Sequence, residues 1–151
     1  MPQSLSQVLL HIIFSTKHRA ARLQDVELRK RLHAYMATIL NDNDSPTLII
    51  NGTENHIHIL CMLSRKWSVA QLIQEVKTEP SKWLKQQRPD YFDFHWQNGY
   101  GAFSVSSSMK DTVYRYIENQ EEHHRAMSYE DEFRTICSKH GISWDERYVW
   151  D

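Results

Sequence analysis

The chain has 151 residues and a mass of 18.0 kDa, which predicts a single domain spanning residues 1–151 because two domains of typical size would not fit. Its net charge of −1 argues against indiscriminate binding of polyanions, although residues 1–120 carry +3 and residues 121–151 carry −4. The longest apolar run, VLLHIIF, is far shorter than the roughly 20 residues that cross a bilayer, so we expect no membrane partner. The two cysteines suggest neither disulfides nor a zinc site, so we expect a cytoplasmic protein.

The first half of the chain predicts a strand, a helix and a hairpin. The apolar run at 7–16 ends at the basic KHR, which is typical of a buried strand. From Asp25 to Asn41 apolar residues recur at helical spacing, and this predicts an amphipathic helix that NDNDSP ends. TLIIN, the turn-like GTEN and HIHILCML then indicate an antiparallel hairpin.

The middle of the chain predicts a second helix and an aromatic strand. Ser68 is a candidate N-cap for the helix, and Pro80, which lacks a backbone N–H, should kink or restart it before SKWLKQQ. FDFHWQNGYGAFSVS is aromatic and rich in β-forming residues, with a bend or tight turn at Asn98 and Gly99.

Two capping patterns predict the last helices. Ser108 with Asp111 begins a helix that runs to about Arg125, and Ser128 begins another that Gly141 ends. The predicted order is therefore β-α-β-β-α-β followed by two helices. This order predicts an α+β fold, a ferredoxin-like split βαβ sandwich with an antiparallel sheet, in which the two main helices cover one sheet face. The other face needs cover from the last helices or from a second subunit.

Two histidines lie two positions apart in the predicted strand HIHILCML. Alternate strand residues share a face, so His56 and His58 point one way. Ile57, Ile59 and Cys61 point the other way, toward the helices. The two imidazoles are then close enough to chelate one divalent ion. The pattern also fits two surface or hydrogen-bonded histidines, and by itself it leaves both interpretations open.

The helix after the aromatic strand carries a tyrosine and a glutamine one turn apart. Tyr116 and Gln120 share a face of this helix, whereas Tyr114 points nearly the opposite way. A phenol with the ordinary pKa of about 10 is a poor nucleophile, so its attack on a phosphodiester requires a cation nearby. Gln120 would offer that cation a neutral oxygen. An ordinary buried stripe with a polar end explains the same spacing.

These motifs together resemble the HUH endonucleases. HIH is similar to their His-hydrophobe-His signature, and YIENQ is similar to the Tyr-x-x-x-Gln helix of the single-tyrosine transposases of the insertion sequence 200/605 group. The resemblance continues through HIIFSTKHR, SKWL, FHWQNGYGAFSVS and GISWDERYVW. GYGAFSVS and EEHHR resemble in particular the REP-associated tyrosine transposases. TEPSKW departs from the Ser-rich SSKW expected there, which puts the local helix geometry in doubt rather than the chemistry.

The resemblance implies a reaction and the residues that perform it. His56, His58 and Gln120 would ligate a divalent cation, Mg²⁺ or Mn²⁺, and Tyr116 would be the catalytic nucleophile. The enzyme would recognise hairpins in single-stranded DNA, then cleave and rejoin strands by transesterification through a 5′-phosphotyrosine intermediate. The family works as a homodimer, commonly with the tyrosine helix of one subunit completing the histidine site of its partner.

Basic residues at two strand ends are candidate DNA contacts. Lys17 and Arg19 follow the first strand, and Arg65 and Lys66 follow the third. Such charges would reach the phosphates of a hairpin stem or of a flanking strand. Loop charges of this kind are also often simply solvated.

The paired histidines His123 and His124 are a further metal-ligand candidate. Adjacent residues of a helix diverge by about 100°, so both side chains cannot easily face one ion. We therefore expect surface or interface positions for the two.

Two other functional interpretations stay open. NGYGAFSVS also resembles the aromatic strand of an RNA-recognition motif, which would make the chain a non-catalytic single-stranded RNA or DNA-binding module. The match fails at its first position, where Asn98 replaces a basic residue, and Ala102 puts the spacing out of register. The third interpretation is a domesticated enzyme that cleaves repeat hairpins without moving its own gene.

Overall fold

The computed structural model describes residues 2–151 and contains four strands and five α-helices in this range. The strands are β1 (Leu9–Ser15), β2 (Thr47–Gly52), β3 (His56–Met62) and β4 (Gly101–Val105). The helices are α1 (Val26–Asp42), α2 (Val69–Gln87), α3 (Lys110–Glu118), α4 (Gln120–His123) and α5 (Tyr129–Lys139). No helix among these residues is long and apolar enough to span a bilayer.

The four strands form one antiparallel sheet in the order β2-β3-β1-β4. β1 lies inside the sheet and all of its residues are buried, which explains why its sequence is apolar on both faces. Ser15 pairs with His56, so the end of β1 lies beside the start of β3. The predicted ferredoxin-like α+β arrangement is confirmed.

Each face of the sheet has its own hydrophobic core. Ile57, Ile59 and Cys61 pack with residues of α1 and α2 on one face, as strand alternation predicts. Ile13 and Phe103 pack with residues of α5 on the other face. The last helices of the same chain therefore cover the second face, and a second subunit is not required for this purpose.

Side-chain caps explain where three of the helices begin. Asp25, Ser68 and Ser128 each accept a hydrogen bond from a backbone N–H in the first turn of α1, α2 and α5. Gly141 follows the end of α5 with a φ of 66°, in the left-handed region that favours glycine. The boundaries at Ser68, Ser128 and Gly141 agree with the capping patterns of the sequence, and the cap at Asp25 agrees with the predicted start of α1.

Three details of the predicted elements are wrong. α2 continues through Pro80 instead of restarting there; the proline is buried and removes one backbone hydrogen bond, while Val76 and Leu84 on either side of it stay packed in the core. Ser108 makes no cap to α3 and lies instead in a 3-10 turn, Ser107–Met109. Only the last part of the aromatic stretch forms a strand, since Phe94 and Trp96 pack into the core before β4 begins.

A candidate metal and nucleophile site

β3 presents two imidazoles on the sheet face that α3, α4 and α5 cover. His56 and His58 have no exposed surface, and their ring centroids are 5.2 Å apart. The alternation of the strand keeps Ile57 between them on the opposite face, within the core. The two imidazoles therefore lie side by side in a buried polar layer.

The single helix predicted after β4 is interrupted at Asn119. The side chain of Asn51, from β2, donates hydrogen bonds of 3.0 Å to the carbonyl oxygens of Ile117 and Glu118. These bonds satisfy carbonyl groups that the end of α3 leaves without partners, and Asn119 departs from helical geometry with a ψ of 26°. Gln120 then begins α4 with its side chain fully buried in the site.

Glu132, on α5, is a member of the site that the sequence did not single out. Its Oε1 accepts hydrogen bonds from Nε2 of His58 at 2.9 Å and from Nε2 of His124 at 3.0 Å. Its Oε2 accepts hydrogen bonds from the hydroxyl of Tyr116 and, at 3.1 Å, from the amide of Gln120. With 1% of its surface exposed, this one carboxylate connects side chains from β3, α3 and α4.

His56 faces oxygen acceptors on the inner side of the site. Its Nδ1 lies 2.8 Å from Oδ1 of Asn55 and 3.0 Å from the hydroxyl of Thr53, so this nitrogen either donates to the amide oxygen or accepts from the hydroxyl. Its Nε2 lies 3.1 Å from Oε1 of Gln120 and 3.4 Å from Oε1 of Glu132. In the tautomer whose Nδ1–H donates to Asn55, Nε2 turns a lone pair toward these two oxygens, and a cation among the three atoms would satisfy them all; in the other tautomer Nε2–H donates to the oxygens.

Four side chains form a candidate set of metal ligands. One donor atom from each lies within 4.8 Å of the others, and the set consists of His56, His58, His124 and Glu132. Imidazole nitrogen and carboxylate oxygen are both common ligands of divalent transition metals. The donor set therefore fits the divalent cation that the motifs imply.

The adjacent residues His123 and His124, for which the sequence predicts similar positions, have different environments in the structure. The side chain of His124 is only 12% exposed and reaches Glu132, so the expected surface position is wrong for this residue. α4 ends at His123, and the regular 100° spacing of a helix does not extend to the next residue. His123 instead stacks on the ring of Tyr116, with centroids 4.6 Å apart.

Burial and hydrogen bonding set the charges of the site. Burial lowers the pKa of His58 to about 4, so this ring is neutral at pH 7. Burial opposes the charge of Glu132, but hydrogen bonds from three histidines outweigh it and hold the pKa of the carboxyl well below its usual range. Burial, followed by the charge of Glu132, raises the pKa of the Tyr116 phenol. Without a cation the phenol therefore keeps its proton.

His11, on β1, supports His58 from the side away from Glu132. Its Nε2 lies 2.8 Å from Nδ1 of His58, and burial lowers the pKa of His11 to about 3. In the absence of a cation, one proton arrangement satisfies both contacts: His11 donates to Nδ1 of His58, whose Nε2–H donates to Glu132. If Nε2 of His58 binds a cation, its proton must move to Nδ1, and His11 must then accept it.

The four candidate DNA contacts lie at opposite ends of the sheet. Lys17 and Arg19 belong to a 3-10 turn that follows β1, beside the start of β3 and the imidazoles. Arg65 and Lys66 lie in the turn after β3, roughly 20 Å away along that strand. Only the first pair is brought near the site.

A cavity of about 330 Å³ opens beside Tyr116. Glu132, His123 and Lys139 also line it, so the ring of Tyr116 borders a cavity that holds both acidic and basic groups. A larger cavity of about 460 Å³ lies between β4 and the C-terminal residues 142–149, away from the imidazoles.

A comparison with protein families matches most of the chain. The model of the family described as "Transposase IS200 like" matches residues 4–120. This range contains His56, His58, Tyr116 and Gln120, whereas Glu132 lies beyond it. No curated protein shows a significant match to the chain.

Two solved structures share the fold. One is a protein from Deinococcus radiodurans R1 described provisionally as a transposase, with a TM-score of 0.61 and 18% identity, covering 80% of this chain and 95% of that one. The other is a REP-associated tyrosine transposase bound to a REP hairpin, with a TM-score of 0.53 and 13% identity, covering 79% of this chain and 71% of that one. At these identities the likeness concerns the fold.

Proposed function

Because this chain belongs to the family of IS200-like transposases, we propose that it cleaves and rejoins single-stranded DNA through a covalent bond to Tyr116. The proposal rests on one observation: the phenol of Tyr116 lies close to the buried imidazoles of His56 and His58 within one chain. Glu132 makes the connection, since it accepts hydrogen bonds from both Tyr116 and His58.

The proposed protein ligands of the divalent cation are His56, His58 and Gln120, to which the geometry adds His124 and Glu132. A bound Mn²⁺ or Mg²⁺ supplies Lewis acidity toward a phosphate oxygen and favours the ionised phenol. Three imidazoles favour Mn²⁺, because Mg²⁺ prefers oxygen ligands.

Tyr116 is the proposed nucleophile, and Glu132 orients it. The phenolic O–H donates to Oε2 of Glu132, which is also the nearest acceptor for its proton. As the phenol oxygen bonds to phosphorus, the bond from phosphorus to the 3′ oxygen breaks and that oxygen takes up a proton from water, which leaves a 5′-phosphotyrosine and a free 3′-hydroxyl. A 3′-hydroxyl can reverse the step on another strand, and the number of phosphoester bonds is conserved, so joining needs no ATP.

We propose DNA hairpins as the recognised substrate. The similar REP-associated tyrosine transposase is bound to a REP hairpin, and this chain matches it over 79% of its length. Within this chain Tyr116 reaches its own histidines through Glu132, which favours assembly of the site in cis. The homodimer implied by the family resemblance stays a prediction, which sedimentation of the protein with and without DNA would test.

The packing of β4 argues against a non-catalytic module of the RNA-recognition type. Such a module stacks bases on aromatic side chains of an open sheet face. Phe103 of β4 is only 3% exposed and packs against Phe133, with centroids 6.3 Å apart. The aromatic residue in the middle of this strand therefore has no free face for a base.

The proposal predicts a covalent protein–DNA adduct that requires a metal. The protein is incubated with single-stranded DNA containing a hairpin, with Mn²⁺ or with EDTA, and is then denatured and separated on a gel. We expect EDTA to reduce the adduct by at least about 100-fold, because the buried phenol keeps its proton without a cation. An equal amount of adduct in EDTA would contradict the role of the metal, and no adduct under any condition would contradict the function.

His11→Phe should weaken Mn²⁺ binding by about 10- to 100-fold, as is typical when a residue that holds a metal ligand is lost. In the metal-bound site the Nδ1–H of His58 needs an acceptor, and Nε2 of His11 is the group within reach. Isothermal titration with Mn²⁺ measures the effect. His33→Phe, on α1 across the sheet, is the matched control and should leave the affinity unchanged. Equal affinities of the two variants would show that His11 has no such role.

A further inference from the structure

A groove runs along α2 on the side of the molecule near the end of β1. Its first part is a cavity of about 340 Å³ that the α2 residues Thr78, Ser81, Lys82 and Lys85 line together with His95. These α2 positions follow the spacing i, i+3, i+4 and i+7, which places them on one face of the helix. The groove therefore presents two hydroxyls, two ammonium groups and an imidazole side by side, and a third lysine, Lys77, also lines it.

The groove continues into a second cavity of about 260 Å³. Trp96 and Asn98 line both cavities, and Lys17 and His18 line the second. The combined surface, which we call the lysine groove, has one acidic lining residue, Asp151, among the residues that the structure describes. The lysine groove is thus positively charged, although the whole chain has a net charge of −1.

The lysine groove connects to the imidazole site through a row of side chains. The ring of His56 lies 4.7 Å from that of Tyr129, which lies 6.2 Å from the ring of Trp150. Arg19 lies over Trp150 at 5.5 Å, and Trp150 lines the second cavity. The second cavity therefore lies beside the imidazole site, with the packed rings of Tyr129 and Trp150 between them.

The chemistry of the lysine groove fits a double-stranded stem better than an unpaired strand. Proteins that hold unpaired strands offer aromatic faces to the bases. In this groove Trp96 is 7% exposed with its indole N–H bonded to the carbonyl of Lys77, and Trp150 has Arg19 over its ring. Lysines and hydroxyls, by contrast, are common phosphate contacts. From Thr78 to Lys85 the helix rises by about 10 Å, over which one strand of a duplex carries about three phosphates.

We propose that the lysine groove binds the phosphate backbone of the double-stranded stem of a DNA hairpin whose unpaired flank enters the imidazole site. The proposal rests on the proposed function for its choice of substrate. Lys82 and Lys85 bind the phosphates of the stem. Lys82 is available for this contact because its ion pair with Glu79, at 3.6 Å, lies on the surface. Lys77 has a different task, because its ammonium group donates to the carbonyl oxygens of Gln97 and Gly99 at 2.8 Å each.

The test compares two double variants that remove the same charge. Lys82→Gln with Lys85→Gln changes the groove, and Lys30→Gln with Lys110→Gln changes exposed lysines on α1 and α3. Fluorescence anisotropy in EDTA measures the affinity for a labelled DNA hairpin with an unpaired flank and for an unpaired strand of the same length, between 50 and about 200 mM salt. For the hairpin, the groove variant should bind about 10-fold more weakly, and the slope of log K against log salt should fall by about 2 relative to wild type. The control should match wild type.

Three results would overturn the proposal. The first is equal hairpin affinity and salt slope for the two double variants. The second is a loss confined to the unpaired strand, which would make the occupant of the groove a single strand. The third is an equal loss for both DNAs. Adduct formation at saturating hairpin is measured separately and should equal that of wild type. If no protein forms an adduct, the proposed chemistry fails, while the salt slopes still decide whether the groove binds the stem.

Discussion

Tyr116→Phe should abolish the covalent adduct and reduce DNA cleavage by at least about 10³-fold, the scale of loss when an enzyme loses its nucleophile. The substitution removes only the oxygen that is proposed to attack phosphorus. The ring that stacks on His123 stays, and so do the imidazoles. Cleavage of a labelled hairpin substrate in Mn²⁺, followed on a denaturing gel, measures the rate and the adduct together.

Tyr114→Phe is the matched control for this prediction. Tyr114 lies two residues away on α3, and it is 36% exposed on the side away from the site. We expect adduct formation at the wild-type rate. The nucleophile would be assigned wrongly if Tyr116→Phe still formed an adduct, or if Tyr114→Phe lost it while it bound Mn²⁺ normally.

The fold was predictable because its local signals agree with its tertiary structure. The alternation in β3 sorts imidazoles from aliphatic residues, and Asp25, Ser68 and Ser128 mark helix starts by their own chemistry. The break at Asn119 depends on Asn51, which is remote in sequence and supplies the bonds that end α3. Capping and periodicity within one segment do not report such a contact.

The proposed site was predictable only in part, for a similar reason. His56 and His58 share a strand, and Tyr116 and Gln120 share a helical spacing, so each pair is visible locally. Glu132 lies in the first turn of α5, where an acidic residue already has a local explanation in the helix dipole. Glu132 comes close to the other groups only when α5 packs on the sheet, and no pattern within α5 predicts this contact.

His11 did carry a signal in the sequence. It interrupts VLLHIIF, and a polar residue in a strand that is buried on both faces needs a partner there. Its partner proved to be His58, on the neighbouring strand. A buried polar residue within an apolar run is therefore worth testing against the polar groups of other strands.

Glu132→Ala should lower the free energy of unfolding of the metal-free protein by about 3–5 kcal/mol, a large fraction of the stability of a domain of this size. The buried carboxylate accepts hydrogen bonds from Tyr116, Gln120, His58 and His124, and without it these donors lose their partner inside the protein. Urea unfolding in EDTA, followed by circular dichroism, measures the loss. If Glu132 is also a metal ligand, Mn²⁺ should stabilise the variant less than it stabilises wild type.

Glu130→Ala separates this effect from the loss of any acidic residue in the first turn of α5. Glu130 is 37% exposed and its contact with Arg19 spans 3.8 Å, so its removal should cost less than about 1 kcal/mol. Equal costs for the two variants in EDTA would mean that Glu132 acts only on the helix dipole. If Glu132→Ala loses much stability in EDTA but is stabilised by Mn²⁺ as strongly as wild type, Glu132 orients Tyr116 without binding the metal. The cation would then be bound by the imidazoles and Gln120 alone.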